Sequence, residues 1–237
     1  VAALDGRPIG LTTAISYGKR LGWIGNVVVA RAHRSTGIGS SLVRTAVRHF
    51  LRSRVRSIAL YSYLENKSMY IRLGFRTAGS FLRVAMSQRS PKRFTKRREV
   101  PFSEILKVDR HAFGADRSTL LRRLLNEFPR NWAWIADGSG VSGYALLKEY
   151  QDSSEIGPSV SERMNQEAVT KLLESALALA RRWPVEMSVP ESHQTVLETA
   201  IRMGFRVERK GIVMNIANPD RMKIGPAIVA FGFLDKG

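Results

Sequence analysis

The stretch Trp23 to Phe50, WIGNVVVARAHRSTGIGSSLVRTAVRHF, decides how this chain is read. An apolar run from Ile24 to Ala30 gives way to a polar turn, Arg31 to Thr36, and then to Gly37-Ile38-Gly39. From Ile38 onward Leu42, Val43, Ala46, Val47, Phe50 and Leu51 recur at helical spacing. The pattern predicts a strand, a glycine turn and an amphipathic helix. The first N–H groups of a helix have no partner within it, and the helix dipole is positive at that end, so the junction is an anion site. Gly37 and Gly39 let a ligand approach the main chain closely. A phosphate group is the natural guest.

Working outward, Val1 to Leu4, Asp5-Gly6 and Ile9 to Ile15 read as a hairpin with a tight turn. Downstream, Ser57 to Tyr63 reads as a buried strand, Asn66 to Leu73 as a short helix closed by Gly74, and Phe75 to Val84 as a further strand. Strands alternating with helices imply an α/β unit with a parallel component. After the basic stretch Ser87 to Glu99 come two helices, Phe102 to Phe113 and Ser118 to Glu127, with Asp116 placed to serve the second helix start. A hairpin of Trp132 to Ala136 and Val141 to Leu147 follows, then a long helix from Ser161 to Arg182. Val185 to Val189, Thr195 to Met203 and Phe205 to Ile216 close the sequence as strand, helix and strand.

The two halves repeat one another. Ile9-Gly10 corresponds to Ser142-Gly143, Ile24-Gly25 to Ile156-Gly157, and Leu73-Gly74-Phe75-Arg76 to Met203-Gly204-Phe205-Arg206. Three matches in order, at nearly constant offset, imply two copies of one fold. The expected partition is a first domain over residues 1–86, a basic linker over 87–100 and a second domain over 101–237.

Charge separates the halves. The net charge is +18, and residues 1–86 hold fourteen Lys or Arg against two Asp or Glu, whereas residues 101–237 are nearly balanced. A basic field concentrates a phosphorylated cofactor or a nucleic acid alike. The absence of cysteine removes disulfides, thiolate catalysis and thiolate metal sites. His33, His49, His111 and His193 show no metal-ligand spacing, and no apolar run approaches a membrane span. A cytoplasmic, metal-free protein is the expectation.

Two phosphate motifs fail at the glycine turn. A dinucleotide fingerprint needs a third glycine where Leu42 stands and an acidic residue near Ser57, and a P-loop needs a lysine that Gly39-Ser40-Ser41 lacks. What remains is Arg34-x-x-Gly37-x-Gly39 between strand and helix, followed by Tyr70-Ile71-Arg72-Leu73-Gly74-Phe75. These residues resemble the GCN5-related N-acetyltransferases, the GNAT superfamily, over Val1 to about Met86.

That resemblance implies tandem GNAT-like domains, each a mixed, mostly antiparallel sheet flanked by helices. It implies that Val27, Val28 and Val29 splay from the neighbouring strand and pair with the pantetheine arm of acetyl-CoA. The backbone N–H groups of Arg34, Ser35, Thr36, Gly37, Ile38, Gly39 and Ser40 would cradle the pyrophosphate. Tyr70 would protonate the departing thiolate, a task that suits a phenol because it keeps its proton at neutral pH. Glu65, close to Tyr70 in sequence, is placed either to deprotonate an acceptor amine or to cap the short helix. Arg44, Arg48 and Arg52 form a solvated face from which one member reaches the adenosine phosphates.

The second half resembles the divergent C-terminal domain of two-domain members, on the tract Phe113-Gly114-Ala115-Asp116-Arg117 with Ile156-Gly157-Pro158 and Met203-Gly204-Phe205. Ser161 to Gln166, where the loop motif would fall, contains no glycine, and Ala200 stands where the tyrosine would be. Both departures assign the cofactor to the first copy. The family's first strand and two helices would precede the opening hairpin, so either they lie outside this sequence or the second copy supplies their part.

The expected activity is transfer of an acetyl group from acetyl-CoA to a primary amine by direct attack in a ternary complex, without a metal. The acceptor stays open between small molecules and peptides, and an oligomer is compatible with the reading. The alternative is a non-catalytic module, built from decayed acetyltransferase domains, that holds RNA or another polyanion. The basic linker carries only Phe94 as an aromatic, so the base-stacking signature for nucleic acid is incomplete.

Overall fold

The computed structural model describes residues 1–87, 99–138, 140–216 and 225–232. The basic stretch of the expected linker falls almost wholly outside the described residues. The described chain forms two compact units.

The first unit is Val1–Ser80 joined by residues 211–216. Strands β1 (Ala2–Leu4) and β2 (Arg7–Tyr17) meet at Asp5-Gly6, where both residues have positive φ as a two-residue hairpin turn requires. β2 pairs antiparallel with β3 (Leu21–Val29), and β3 pairs parallel with β4 (Ser57–Tyr63). Helix α1 (Ile38–Arg52) forms the crossover between them. It buries Leu42, Val43, Ala46 and Phe50 of the stripe the sequence spacing predicts, each larger side chain contributing about 1.5–3 kcal/mol, with Ile38 and Val47 half-buried, whereas Leu51, which the spacing also places there, is exposed. Val43, Ala46 and Phe50 share a core with Ile24, Ile58, Leu60, Tyr70 and Phe75. The predicted short helix begins as a single 3₁₀ turn, Leu64–Asn66, and continues as α2 (Lys67–Arg72).

The second unit takes the described residues of Phe81–Lys210 with residues 225–232. It starts on the far end of β5 (Arg76–Met86), followed by α3 (Phe102–Phe113) and α4 (Ser118–Glu127). β6 (Trp132–Asp137), β7 (Gly140–Glu149) and β8 (Ser154–Ser161) form an antiparallel meander. α5 (Gln166–Leu177) crosses over to β9 (Val185–Pro190), which pairs parallel with β8, and α6 (Gln194–Arg202) leads into β10 (Arg206–Ile216). A short last strand, β11 (Ile228–Ala230), lies antiparallel on β8. Each unit thus has one parallel pair in an otherwise antiparallel sheet, the mixed architecture that the sequence implies.

The repeat survives at the level of individual hydrogen bonds. Gly74 and Gly204 end the equivalent helices α2 and α6, donating to the carbonyls of Ile71 at 2.9 Å and Ile201 at 3.0 Å. The next N–H groups, of Phe75 and Phe205, donate to the carbonyls of Tyr70 and Ala200, both at 3.0 Å.

Two features depart from the linear reading. First, the units exchange strands. Gly211 to Ile216 of β10 pair with Tyr63 to Ile58 of β4 in the first unit, and Phe81 to Met86 of β5 pair with Pro190 to Val185 of β9 in the second. A partition into 1–86 and 101–237 therefore keeps each strand whole but leaves Phe81–Met86 and Gly211–Ile216 outside the units they join. Second, the long helix begins at Gln166 rather than Ser161, because Ser161 is still in β8, opposite Gly143, and its N–H donates to the Ala227 carbonyl at 2.8 Å. That helix ends at Leu177, and the N–H of Arg181 donates instead to the Glu149 carboxylate at 2.8 Å.

Candidate functional site

The parallel ladder between β3 and β4 stops at the pair Ile24–Leu60, yet β3 runs on to Val29 and β4 to Tyr63. A β-bulge accompanies the parting. Leu11 faces Val28 and Thr13 faces Gly25, so Thr12 alone opposes Asn26 and Val27. Asn26 adopts φ 48, and the Thr12 hydroxyl donates to the Gly25 carbonyl at 2.9 Å. Beyond Ile24, no described strand pairs with β3 on its β4 side. The three valines singled out from the sequence, Val27, Val28 and Val29, lie on this stretch, with Val28 51% exposed.

The loop after β3 is held from both ends. The Ala30 N–H donates to the Ile9 carbonyl at 2.8 Å, and the Arg34 guanidinium donates through Nε to the Val29 carbonyl at 3.1 Å. The Thr36 hydroxyl closes the turn on the His33 carbonyl at 2.8 Å. Ser35 has φ 64, and Gly37, the residue immediately before α1, has φ 87, a region that costs a side chain about 1–2 kcal/mol. No side chain caps α1. Its first N–H groups keep their hydrogen-bonding capacity and the positive end of the helix dipole is bare. A Cβ on Gly39 would stand 3.8–3.9 Å from Val29, Met69 and Val27, so this glycine lies beside both the free stretch of β3 and helix α2.

Tyr70 sits on α2, 6% exposed, with its ring edge-on to Phe75 at 5.8 Å. Among the described residues no group hydrogen-bonds its hydroxyl. Burial raises its pKa above the ordinary tyrosine value, which keeps the phenol protonated through neutral pH. Arg44 and Arg48, both exposed on α1, line a cavity of about 450 Å³ with Ser41, Val43, Val47 and Leu73.

The same place in the second unit is built otherwise. The parallel ladder of β8 and β9 also stops at the repeat-equivalent residue, Ile156, and Leu146 alone opposes Gly157 and Pro158 in a matching bulge. Helix α5, however, carries its own cap: the Asn165 side chain accepts the Ala168 N–H at 2.9 Å. Sequence reasoning passed over that cap, although Asn immediately before an amphipathic run with Glu167 in the first turn is a helix-start signal. Ala200, the counterpart of Tyr70, is fully buried.

The tract Phe113 to Arg117 also has a structural account. Arg117 and Asp109 form a buried ion pair, the Tyr144 hydroxyl donates to Asp109 at 2.6 Å, and the Arg117 guanidinium lies 3.8 Å from the Phe113 ring centroid. Burial, together with the Asp109 charge, pushes the Tyr144 pKa well up. The Asp116 carboxylate accepts the Ser118 N–H at 2.9 Å, as its position before the helix suggests. Among the described residues no group of three or more acidic or histidine side chains is placed to hold a metal ion. No described helix is long and apolar enough to cross a membrane.

Comparison with known proteins agrees with this geometry. A family model described as an acetyltransferase (GNAT) domain matches residues 105–230, and one described as the acetyltransferase (GNAT) family matches residues 1–75. The chain belongs to the GNAT acetyltransferases. It is 27% identical over 199 residues to an uncharacterised N-acetyltransferase of Bacillus subtilis, YitH, covering 78% of this chain and 66% of that protein. The chain thus spans slightly under two thirds of that relative. Among solved structures, a putative acetyltransferase from Pyrococcus horikoshii superposes with a TM-score of 0.81 at 22% identity, covering 99% of this chain and 78% of the other. A tandem GNAT protein from the clavulanic acid biosynthesis pathway gives 0.63 at 13% identity, covering 90% and 80%. Both likenesses establish the fold alone. In this GNAT chain the loop and tyrosine of the first unit have no counterpart in the second.

Proposed function

We propose that the chain is an N-acetyltransferase that takes the acetyl group of acetyl-CoA to a primary amine by direct attack, and that the first unit alone holds the cofactor. The observation that carries the reading is the uncapped start of α1 beside a strand edge with no described partner. One is suited to a pyrophosphate and the other to an extended chain bearing amide groups. Bound acetyl-CoA supplies a thioester carbonyl carbon open to an amine and a sulfur able to leave as thiolate.

The remaining roles fall to this chain's own residues. The N–H groups from Arg34 to Ser40 hold the pyrophosphate, with Gly37 and Gly39 leaving room for it. Main-chain groups of Val27, Val28 and Val29 hold the arm, and their N–H groups stabilise charge developing on the thioester oxygen. Arg44 or Arg48 meets the phosphates of the nucleotide end. Tyr70 holds its proton at Oη and delivers it to the sulfur as the C–N bond forms and the C–S bond breaks, and the proton shed by the attacking nitrogen passes to solvent, from which the phenol is restored. Small-molecule and peptide amines are both suitable acceptors.

Titration calorimetry with acetyl-CoA, followed by an amine panel read by thiol release, tests the reading. The expected result is binding together with thiol release that depends on the amine. RNA binding that falls steeply with salt, without any acetyl-CoA binding, would instead select the polyanion-binding alternative.

A further inference from the structure

The edge of β8 that corresponds to the free stretch of β3 is occupied. At the repeat offset of Ile24 to Ile156, the residues matching Val27, Val28 and Val29 are Ser159, Val160 and Ser161. These are the residues on which β11 lies: Ile228 faces Val160, Ala230 faces Ser159, and the Ser161 N–H donates to the Ala227 carbonyl at 2.8 Å. The same segment bonds the opposite wall. The Phe231 N–H donates to the Ser188 carbonyl of β9 at 2.9 Å. His193, just before α6, approaches the Ile228 carbonyl through Nδ1 at 2.6 Å, and because a carbonyl only accepts, that nitrogen carries the proton.

The seat is shaped for main chain. Gly157 has φ 146, and a Cβ there would stand 2.0 Å from the Phe231 carbonyl oxygen, so any side chain excludes the segment. Val229 and Ala230 belong to the core of the second unit, 0% and 1% exposed, and Phe231 packs edge-on against Phe81 at 6.0 Å.

We infer that residues 227–231 are a built-in occupant of the second unit's cleft, taking the place that the described residues of the first unit leave open to an extended, amide-bearing ligand. An open wedge between two diverging strands leaves main-chain N–H and C=O groups that need partners. In the second unit the chain supplies them itself, so each chain offers one cleft to acetyl-CoA and the second unit is closed to it. The identity of the ligand in the first unit rests on the acetyl-CoA reading above; the occupation of the second does not.

Hydrogen–deuterium exchange on the intact chain tests the occupation without any ligand. The amides of Ser161 and Phe231 are expected to exchange at least about a hundredfold more slowly than in an unstructured peptide. Gly157→Ala is expected to accelerate both by about tenfold or more. Phe231→Ala, which removes a side-chain contact without crowding the backbone, provides a second variant should Gly157→Ala not fold, with acceleration again expected. Unprotected amides in the wild type, or protection unchanged in the folded variants, overturn the inference. Equilibrium dialysis supplies the count. One acetyl-CoA per chain is expected, two overturn the inference, and none overturns the acetyl-CoA reading while leaving the exchange experiment to decide the occupation.

Discussion

Two helix beginnings, at Gly37 and at Asn165, differ in what meets their first N–H groups. Both follow a strand that parts from its parallel neighbour at an equivalent isoleucine, Ile24 or Ile156, and both start the crossover helix of their unit. At Gly37 no side chain meets the helix N–H groups, whereas at Asn165 the side-chain oxygen takes the Ala168 N–H. A side-chain cap stabilises a helix by about 1 kcal/mol, and a helix without one leaves that stabilisation available to a bound anion. The strand edges follow the same division, with Val27 to Val29 lacking a described partner on the β4 side and Ser159 to Ser161 paired with β11. On the proposed reading, the first unit leaves these polar groups to acetyl-CoA and the second satisfies them internally.

The sharpest way to break this comparison is at the residue the second copy lacks. Tyr70→Phe is expected to lower kcat by about a hundredfold or more, as loss of a general acid does, while the acetyl-CoA Kd from calorimetry changes by less than about twofold. Retained turnover would remove Tyr70 from the chemistry. In the wild type the alkaline limb of the rate profile should lie above the ordinary tyrosine range near about 10. Burial raises the pKa of Tyr70, and the rate falls only when pH climbs through that raised value and strips the proton.

Next in size is the glycine loop. Gly39→Val puts methyl groups toward Val27, Val29 and Met69, and is expected to raise the Kd for acetyl-CoA about tenfold or more, a loss of about 1.4 kcal/mol. Asn165→Ala, at the matching helix start, is expected to leave that Kd unchanged and to cost about 1 kcal/mol in denaturant unfolding. A change in acetyl-CoA affinity in this variant would mean that the second copy shares the site.

The smallest expected effect is that of Asp116→Ala at the start of α4. The Ser118 N–H, and to a lesser extent Arg110, hold the Asp116 pKa below its ordinary value. A lowered folded pKa stabilises the protein above the ordinary Asp range, and that contribution disappears as pH falls through the lowered value. The wild type should therefore lose its small thermal advantage over the variant on acidification.

Local features were legible in the sequence because their causes are local. The stripe from Leu42 to Phe50, the helix ends at Gly74 and Gly204, and the helices Phe102–Phe113 and Ser118–Glu127 follow from periodicity and caps within a few residues. The strand β8 was hidden because Pro158 and three serines interrupt its apolar pattern, although all eight residues are buried. The beginning of α5 was misplaced because Ser161, which resembles a helix start, is committed to Gly143 and Ala227 by pairing that no short window contains.

The sequence by itself determined that the chain holds two copies of one fold, that only the first carries Gly37, Gly39 and Tyr70, and that the basic charge belongs to that copy. Each of these is written in residue types at fixed spacing. Only the tertiary structure decided that β10 completes the first unit, that β5 enters the second, and that residues 227–231 fill the cleft of β8 and β9. The reason is physical: strand partners are chosen by main-chain hydrogen bonds and burial between segments far apart in sequence, and main-chain groups are the same for nearly every residue type.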